Sequence, residues 1–369
     1  MTNSFLDIIS PVFSPESFDF GEDEKIEEVF QAAIDHNLFM LFYCQLKKTK
    51  SIEILGRYRN SYLSLVGRSM KQEVLENQII DILKLYHIPS LVFKGNALAR
   101  DVYKNANCRN SADIDILIKS KDIICADKIL KQEGYLAQEA ESLEFWATRK
   151  HHAVYQCPKT NILIEIHWNF CIPGFFNLTS DNIWQNINID NKGNLSLNPE
   201  IILIQLFIHN SMHAYREFRI FVDILWAMHQ YGDKINLVDF AKALKKTGLL
   251  KTAYISINQI IKSWGNSIES INSIKILFIE IQKQMLFKPI LLSNYFAYNL
   301  EKKMDYNHNR DQFFVRLTLD NSSLILKSFF KSFFPSFKEI QTFYNDHRSY
   351  TLPFNYIKFI GWRISEWTK

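Results

Sequence analysis

The chain has 369 residues, 43 basic against 39 acidic side chains for a net charge of +4, 47% hydrophobic residues and five cysteines. This composition excludes a disordered, collagen-like or disulfide-stapled protein, and the length predicts two or three domains or one large fold with an appended domain. Cys44, Cys108, Cys125, Cys157 and Cys171 form no CxxC pair, which argues against a zinc site, and a pI near 8.6 is too mild for a dedicated nucleic-acid binder.

The N-terminal segment lacks a basic stretch followed by a continuous apolar run, and no later run reaches the roughly 18 apolar residues of a membrane span. A cytoplasmic protein without a membrane span is expected. Apolar residues recur at helical spacing from Ile26 to about Leu46 and again from Tyr62 to Tyr86. Pro89 stops the second helix, and Ser90 to Phe93 is apolar enough for a buried strand ending at Lys94. Gly95 permits a tight turn into a helical stretch, Asn96 to Tyr103. Asp113 to Ile118 reads as a second strand, and Lys121 to Glu133 as a helix stopped by Gly134.

His152 to Cys157 and Ile162 to Trp168 flank the turn-rich Pro158-Lys159-Thr160-Asn161 and predict an antiparallel hairpin. Further helices are expected over 199–212, 218–231, 237–246 and 249–264. In the tail, basic residues alternate with aromatics in Ser328–Pro335 and Tyr356–Arg363. Packing onto the protein body is expected there ahead of a binding patch. The pattern predicts an α+β fold: a mixed sheet with helices over 77–170, an N-terminal helical region over 1–76, and a C-terminal helical domain over 171–369.

Side chains two apart in a strand share a face, so Asp113 and Asp115 project together while Ile114, Ile116 and Ile118 pack behind them. Carboxylates held that close need a cation or a shared proton, and hard oxygen donors suit Mg²⁺ or Mn²⁺. Glu165, between Ile164 and Ile166, supplies a third acid on the same side as His167. Three acids on neighbouring strands suit a two-metal, in-line phosphoryl or nucleotidyl transfer. An isolated Asp-x-Asp is common on half-exposed sheets, and weight comes from its neighbours. Lys94 and Gly95 stand where a strand gives way to a helix, a place for phosphate oxygens on free amides. His167 is placed to orient Glu165, to contact substrate or to be a satisfied core histidine. His151 and His152 are weaker candidates at the start of the hairpin.

Taken in order, LVFKGNALARDVY, CRNSADIDILI and NILIEIHWNF resemble the polymerase-β-type nucleotidyltransferase superfamily. They are most similar to a largely uncharacterised bacterial family that reads Lys-Gly-small-Ala-Leu, then Arg-x-x-x-Asp-Ile-Asp-Leu-Leu, then Glu-x-His-Trp. The resemblance covers roughly 60 to 265, including Leu206 to His209 and Arg219 to Asp223. It implies a nucleotidyltransferase-type sheet, an NTP donor with ATP as the default, and two Mg²⁺ or Mn²⁺ ions held by Asp113, Asp115 and Glu165. Lys94, Gly95 and Asn96 then occupy the place of the phosphate-binding turn, with Asn96 a departure from the usual small residue. Arg109 matches an Arg four residues before the first acid, where it can clamp a phosphate or make a surface ion pair.

His209 and His213, like Arg219 and Asp223, lie one helical turn apart, a spacing for a helix-surface pair or a nucleotide-facing patch. By analogy with the superfamily, His209 or Asp223 is expected to line the cleft. The expected acceptor is a hydroxyl or phosphate on a small molecule, peptide or protein ahead of a nucleic acid. Two alternatives stand beside nucleotidyl transfer: a non-catalytic nucleotide-, peptide- or RNA-binding module on the same fold, and a phosphotransferase.

Overall fold

Asn37 breaks the first predicted helix. Its backbone is left-handed, with φ of 56°, a conformation Asn tolerates better than most residues. The Ile26–Leu46 run therefore forms two helices, α2 (Asp23–Asp35) and α3 (Phe39–Leu46), preceded by α1 (Asn3–Ile9). The computed structural model describes residues 3–14, 23–49, 52–138, 143, 150–191, 193–265, 271–302, 314–320 and a scatter of positions from 323 to 368.

Helix α4 runs from Ile52 to Leu85, beginning a good two turns before the apolar periodicity that marks it from Tyr62. Its early turns are held by rings: Tyr58 stacks on Phe30 of α2 and Tyr62 on Tyr43 of α3, with centroids 3.6 and 4.2 Å apart. Partners that lie far away in the chain, not local patterning, extend this helix. The expected division at 76/77 falls inside it.

Strands β1 (Ser90–Val92), β2 (Asp113–Ile118), β3 (Leu136–Ala137), β4 (His152–Gln156) and β5 (Leu163–His167) form one sheet in the order β1-β2-β5-β4-β3. The β2–β5 pair is parallel, the other neighbours are antiparallel, and the predicted hairpin is β4–β5. Helices α5 (Asn96–Asp101) and α6 (Ile123–Gln132) connect the strands. Period-2 alternation divides the sheet into two faces. Behind it, Ile114, Ile116, Ile118, Ile164 and Ile166 pack against Leu75, Ile79 and Leu83 of α4 and Ile123, Ile129 and Leu130 of α6. The opposite face carries Asp113, Asp115, Glu165 and His167, with Leu91, Phe93 and Leu117 joining a second core built with the helical region.

That helical region contains α7 (Ser180–Trp184), α8 (Pro199–Met212), α9 (Phe218–Tyr231), α10 (Leu237–Thr247), α11 (Leu250–Trp264), α12 (Asn272–Gln284), α13 (Ile290–Lys302) and α14 (Leu352–Thr368). Asn198 caps α8 by accepting from Ile201 N–H, with Pro199 in the first turn, and Gly248 ends α10 with a left-handed φ of 78°. These caps account for the close match with the predicted limits. A small hairpin, β6 (Ile187–Ile189) with β7 (Leu195–Leu197), has no counterpart in the prediction because its strands are only three residues long, too short for an alternation to show. In the tail, Ser328–Pro335 lies outside the described residues, while α14 leaves Phe354 and Ile357 exposed. Among the described residues, no helix is long and apolar enough to cross a membrane.

Candidate active site

The parallel pairing of β2 with β5 sets Asp115 directly opposite Glu165, and Leu117 opposite His167. Asp113 projects from the same face two residues before Asp115, with its Oδ1 accepting from Ser111 Oγ at 2.9 Å. His167 Nε2 lies between the central acids, 2.9 Å from Asp115 Oδ1 and 3.0 Å from Glu165 Oε2. Lys94 Nζ donates to Asp115 Oδ1 at 2.8 Å from the end of β1. The three acids, Lys94 and His167 thus come together, although 71 positions separate Lys94 from Glu165 in the chain (165 less 94).

The acids are not electrically equivalent. Burial pushes the Asp113 carboxyl up, and the neighbouring Asp115 and Glu165 charges push the same way. Burial also acts to raise Asp115, but the Lys94 ammonium and His167 outweigh it and hold that carboxyl well below the usual range. Glu165 is likewise lowered against burial by His167 and His152. His152 Nε2 stands 3.9 Å from Glu165 Oε1 and His151 Nε2 is 3.1 Å from His152 Nδ1. Burial and the adjacent imidazoles lower both histidines, His152 to about 4, so they are neutral near pH 7.

Gly95 has φ of 51°, and a Cβ there would stand 3.1 Å from Ser111 Cβ. Both the backbone conformation and the crowding call for glycine. Asn96 departs from the expected role. Its side chain is buried and faces α4, with Nδ2 donating to Glu76 Oε1 at 2.8 Å and to the Ser69 carbonyl at 3.4 Å. It ties the turn to α4 and offers no side-chain amide to a phosphate.

Arg109 and Asp223 also differ from expectation. Arg109 is neither a phosphate clamp nor part of a surface pair: its Nε and Nη2 grip Asp223 Oδ1 and Oδ2 at 2.9 and 3.1 Å. Tyr103 donates its hydroxyl to the same Asp223 Oδ1 at 2.6 Å, and Arg109 Nη1 donates to the Gly95 carbonyl at 3.3 Å. Asp223 is 0% exposed, so it does not line a cleft. Nor does it pair with Arg219, which instead donates to the Asn110 carbonyl at 3.2 Å and meets Glu217 at 3.5 Å. The loop leading to the acids is therefore gripped from α9 by Arg219 and Asp223. From α4 it is gripped by Arg68, donating to the Ala112 carbonyl at 3.1 Å, and by Gln72, donating to that of Ser111 at 3.2 Å.

His209 lies within electrostatic reach of the site. Burial, then the Lys94 ammonium and His213, holds its imidazole well below the usual range. Its ring sits 4.5 Å from that of His213, which pairs with Glu217. Ser111, Gln72 and Glu76 join the site without being specified by any of the three motifs. Ser111 shares the strand-like period of the acids, and Ser69, Gln72, Glu73 and Glu76 form a polar row at helical spacing along α4; either signal pointed to them.

An oxygen-rich donor set with one imidazole fits a hard or borderline divalent cation. Burial, and then the Asp115 and Glu165 charges, raise the Asp113 carboxyl, and a cation beside it would act against both. Asp115, Glu165 and His167 place ligand-type atoms within 4.8 Å of one another, as do His151, His152 and His167. A family model described as uncharacterised nucleotidyltransferase matches residues 22–262, a span that takes in every one of these side chains. Comparisons with curated proteins and with solved structures gave no match.

Proposed function

Because the chain belongs to this nucleotidyltransferase family, we propose that it moves a nucleoside monophosphate from an NTP, ATP by default, to an acceptor hydroxyl or phosphate. Pyrophosphate is the second product. The observation that carries the proposal is the pairing of Asp115 with Glu165 across parallel strands, with Asp113 on the same face and Lys94 beside them. In this reading Asp113 and Asp115 hold two Mg²⁺ or Mn²⁺ ions and Glu165 joins them at one. When bound, the ions lower the pKa of the attacking oxygen and offset charge on the triphosphate.

The remaining work belongs to the chain. Glu165 is placed to accept the acceptor's proton. Lys94, which donates to Asp115 here, would be available to a phosphate oxygen if cations neutralised the acids, and the Gly95 turn would let backbone approach that phosphate closely. His209 borders the space from α8. The acceptor in this reading is a small molecule, peptide or protein.

The test is incubation of purified protein with Mg²⁺ or Mn²⁺ and each NTP, with and without cell extract, following pyrophosphate and the mass of the modified product. Asp113→Asn and Asp115→Asn are expected to lower turnover by at least about a hundredfold, the scale on which loss of electrostatic stabilisation acts, while the circular-dichroism spectrum is retained. Turnover at the wild-type level in either variant refutes the assignment.

A further inference from the structure

His167 is the imidazole that stands within hydrogen-bond distance of both Asp115 and Glu165. Cis ligands of a six-coordinate ion with bonds of about 2.1 Å stand about 3.0 Å apart. His167 Nε2 stands 2.9 Å from Asp115 Oδ1 and 3.0 Å from Glu165 Oε2, the edges such an ion requires. The ring cannot readily swing aside: it is 1% exposed, and Phe93 packs edge-on against it with centroids 5.0 Å apart. Nδ1 has no hydrogen-bond partner among the described residues. With no ion present the two carboxylates keep a proton on Nε2; because no acceptor holds Nδ1 and no donor opposes a proton there, the ring can carry its proton on Nδ1 and turn the Nε2 lone pair to a cation that displaces those hydrogen bonds.

We infer that His167 is a direct metal ligand through Nε2, and that the centre accordingly prefers a first-row transition ion, Mn²⁺ in practice, to Mg²⁺. The inference rests on the metal-dependent reading above and extends it. Mg²⁺ is reluctant to exchange water for anything but oxygen, whereas first-row transition ions accept imidazole. An ion held by Asp115, Glu165 and His167 takes the place that the Lys94 ammonium and the His167–carboxylate hydrogen bonds fill in its absence. Lys94 is then released toward the substrate. His151 and His152 form a neutral imidazole wall beside the ion without replacing His167 as its ligand.

The test is Mn²⁺ binding followed by electron paramagnetic resonance, with electron spin-echo modulation to detect coordinated nitrogen. Wild-type protein is expected to bind Mn²⁺ and show ¹⁴N modulation that changes to the ¹⁵N pattern when histidine is ¹⁵N-labelled. The signal should persist in a His151→Gln/His152→Gln double variant and vanish in His167→Gln. Competition between the two ions should show the preference for Mn²⁺ over Mg²⁺ falling at least about tenfold in His167→Gln. If that buried substitution prevents folding, the labelled wild type and the double variant decide the matter.

Mn²⁺ binding without nitrogen modulation, or modulation lost with His151 and His152, overturns the inference while leaving nucleotidyl transfer standing. Absence of Mn²⁺ binding together with absence of NTP turnover overturns both.

Discussion

Arg109 and Asp223 illustrate how much a single buried pair can hold. The guanidinium and the carboxylate come from positions 114 residues apart, and the same carboxylate accepts from Tyr103. Removing one member leaves the other charged and buried without compensation. Asp223→Ala is therefore expected to lower stability by about 3–5 kcal/mol, read as a shift in the denaturant midpoint. Combining it with Arg109→Ala should cost less than the two single losses added together, because both substitutions remove one interaction. A guanidinium four residues before an acid pair has the look of a phosphate ligand. Its real partner could not be read locally, since nothing near Arg109 in the chain announces Asp223. Asp115 and Glu165 were legible as candidates because strand alternation aims them at one face, and Lys94 because it stands where a strand gives way to a helix.

At the scale of elements, the site depends on one strand pairing and one turn. A slip of one residue between β2 and β5 would turn the acids into the isoleucine-lined core, and the apolar isoleucines behind them oppose that slip. The turn at Gly95 is equally constrained, since its positive φ and the nearby Ser111 both oppose a side chain. Gly95→Ala should cost about 1–3 kcal/mol of stability. NTP turnover at a temperature where the variant is fully folded should fall further than that loss explains, because Lys94 and the Arg109-bound carbonyl move with the turn. Thermal melts and turnover measured on the same sample check both. Strands β1, β2, β4 and β5 and helices α8 to α11 were predictable from alternation, caps and Pro89, whereas the two-residue β3 was not. The early turns of α4 and the β6–β7 hairpin were not, because aromatic stacking and pairing with distant residues create them.

For the whole molecule, the sheet separates two cores, one closed by α4 and α6 and the other by α1 to α3 together with the C-terminal helices. The acids lie on the face toward the second core, where His209 of α8 is near enough to feel the Lys94 charge. Ions that bind only this assembled arrangement stabilise the fold. Mn²⁺ at about a hundred times its dissociation constant should add about 2.7 kcal/mol, visible as a raised unfolding midpoint that EDTA reverses. Asp115→Asn should show no such shift.

Residue order alone singled out the candidate side chains, because period-2 alternation and the Lys-Gly, Asp-Ile-Asp and Glu-x-His runs are local properties of the chain. Tertiary structure alone decided their partners. It assigned Arg109 to Asp223, turned Asn96 toward Glu76, and set His167 between two carboxylates. The physical reason is that a buried charge or amide must be satisfied by whatever the fold brings within about 3 Å. Sequence distance places no limit on which residue that will be.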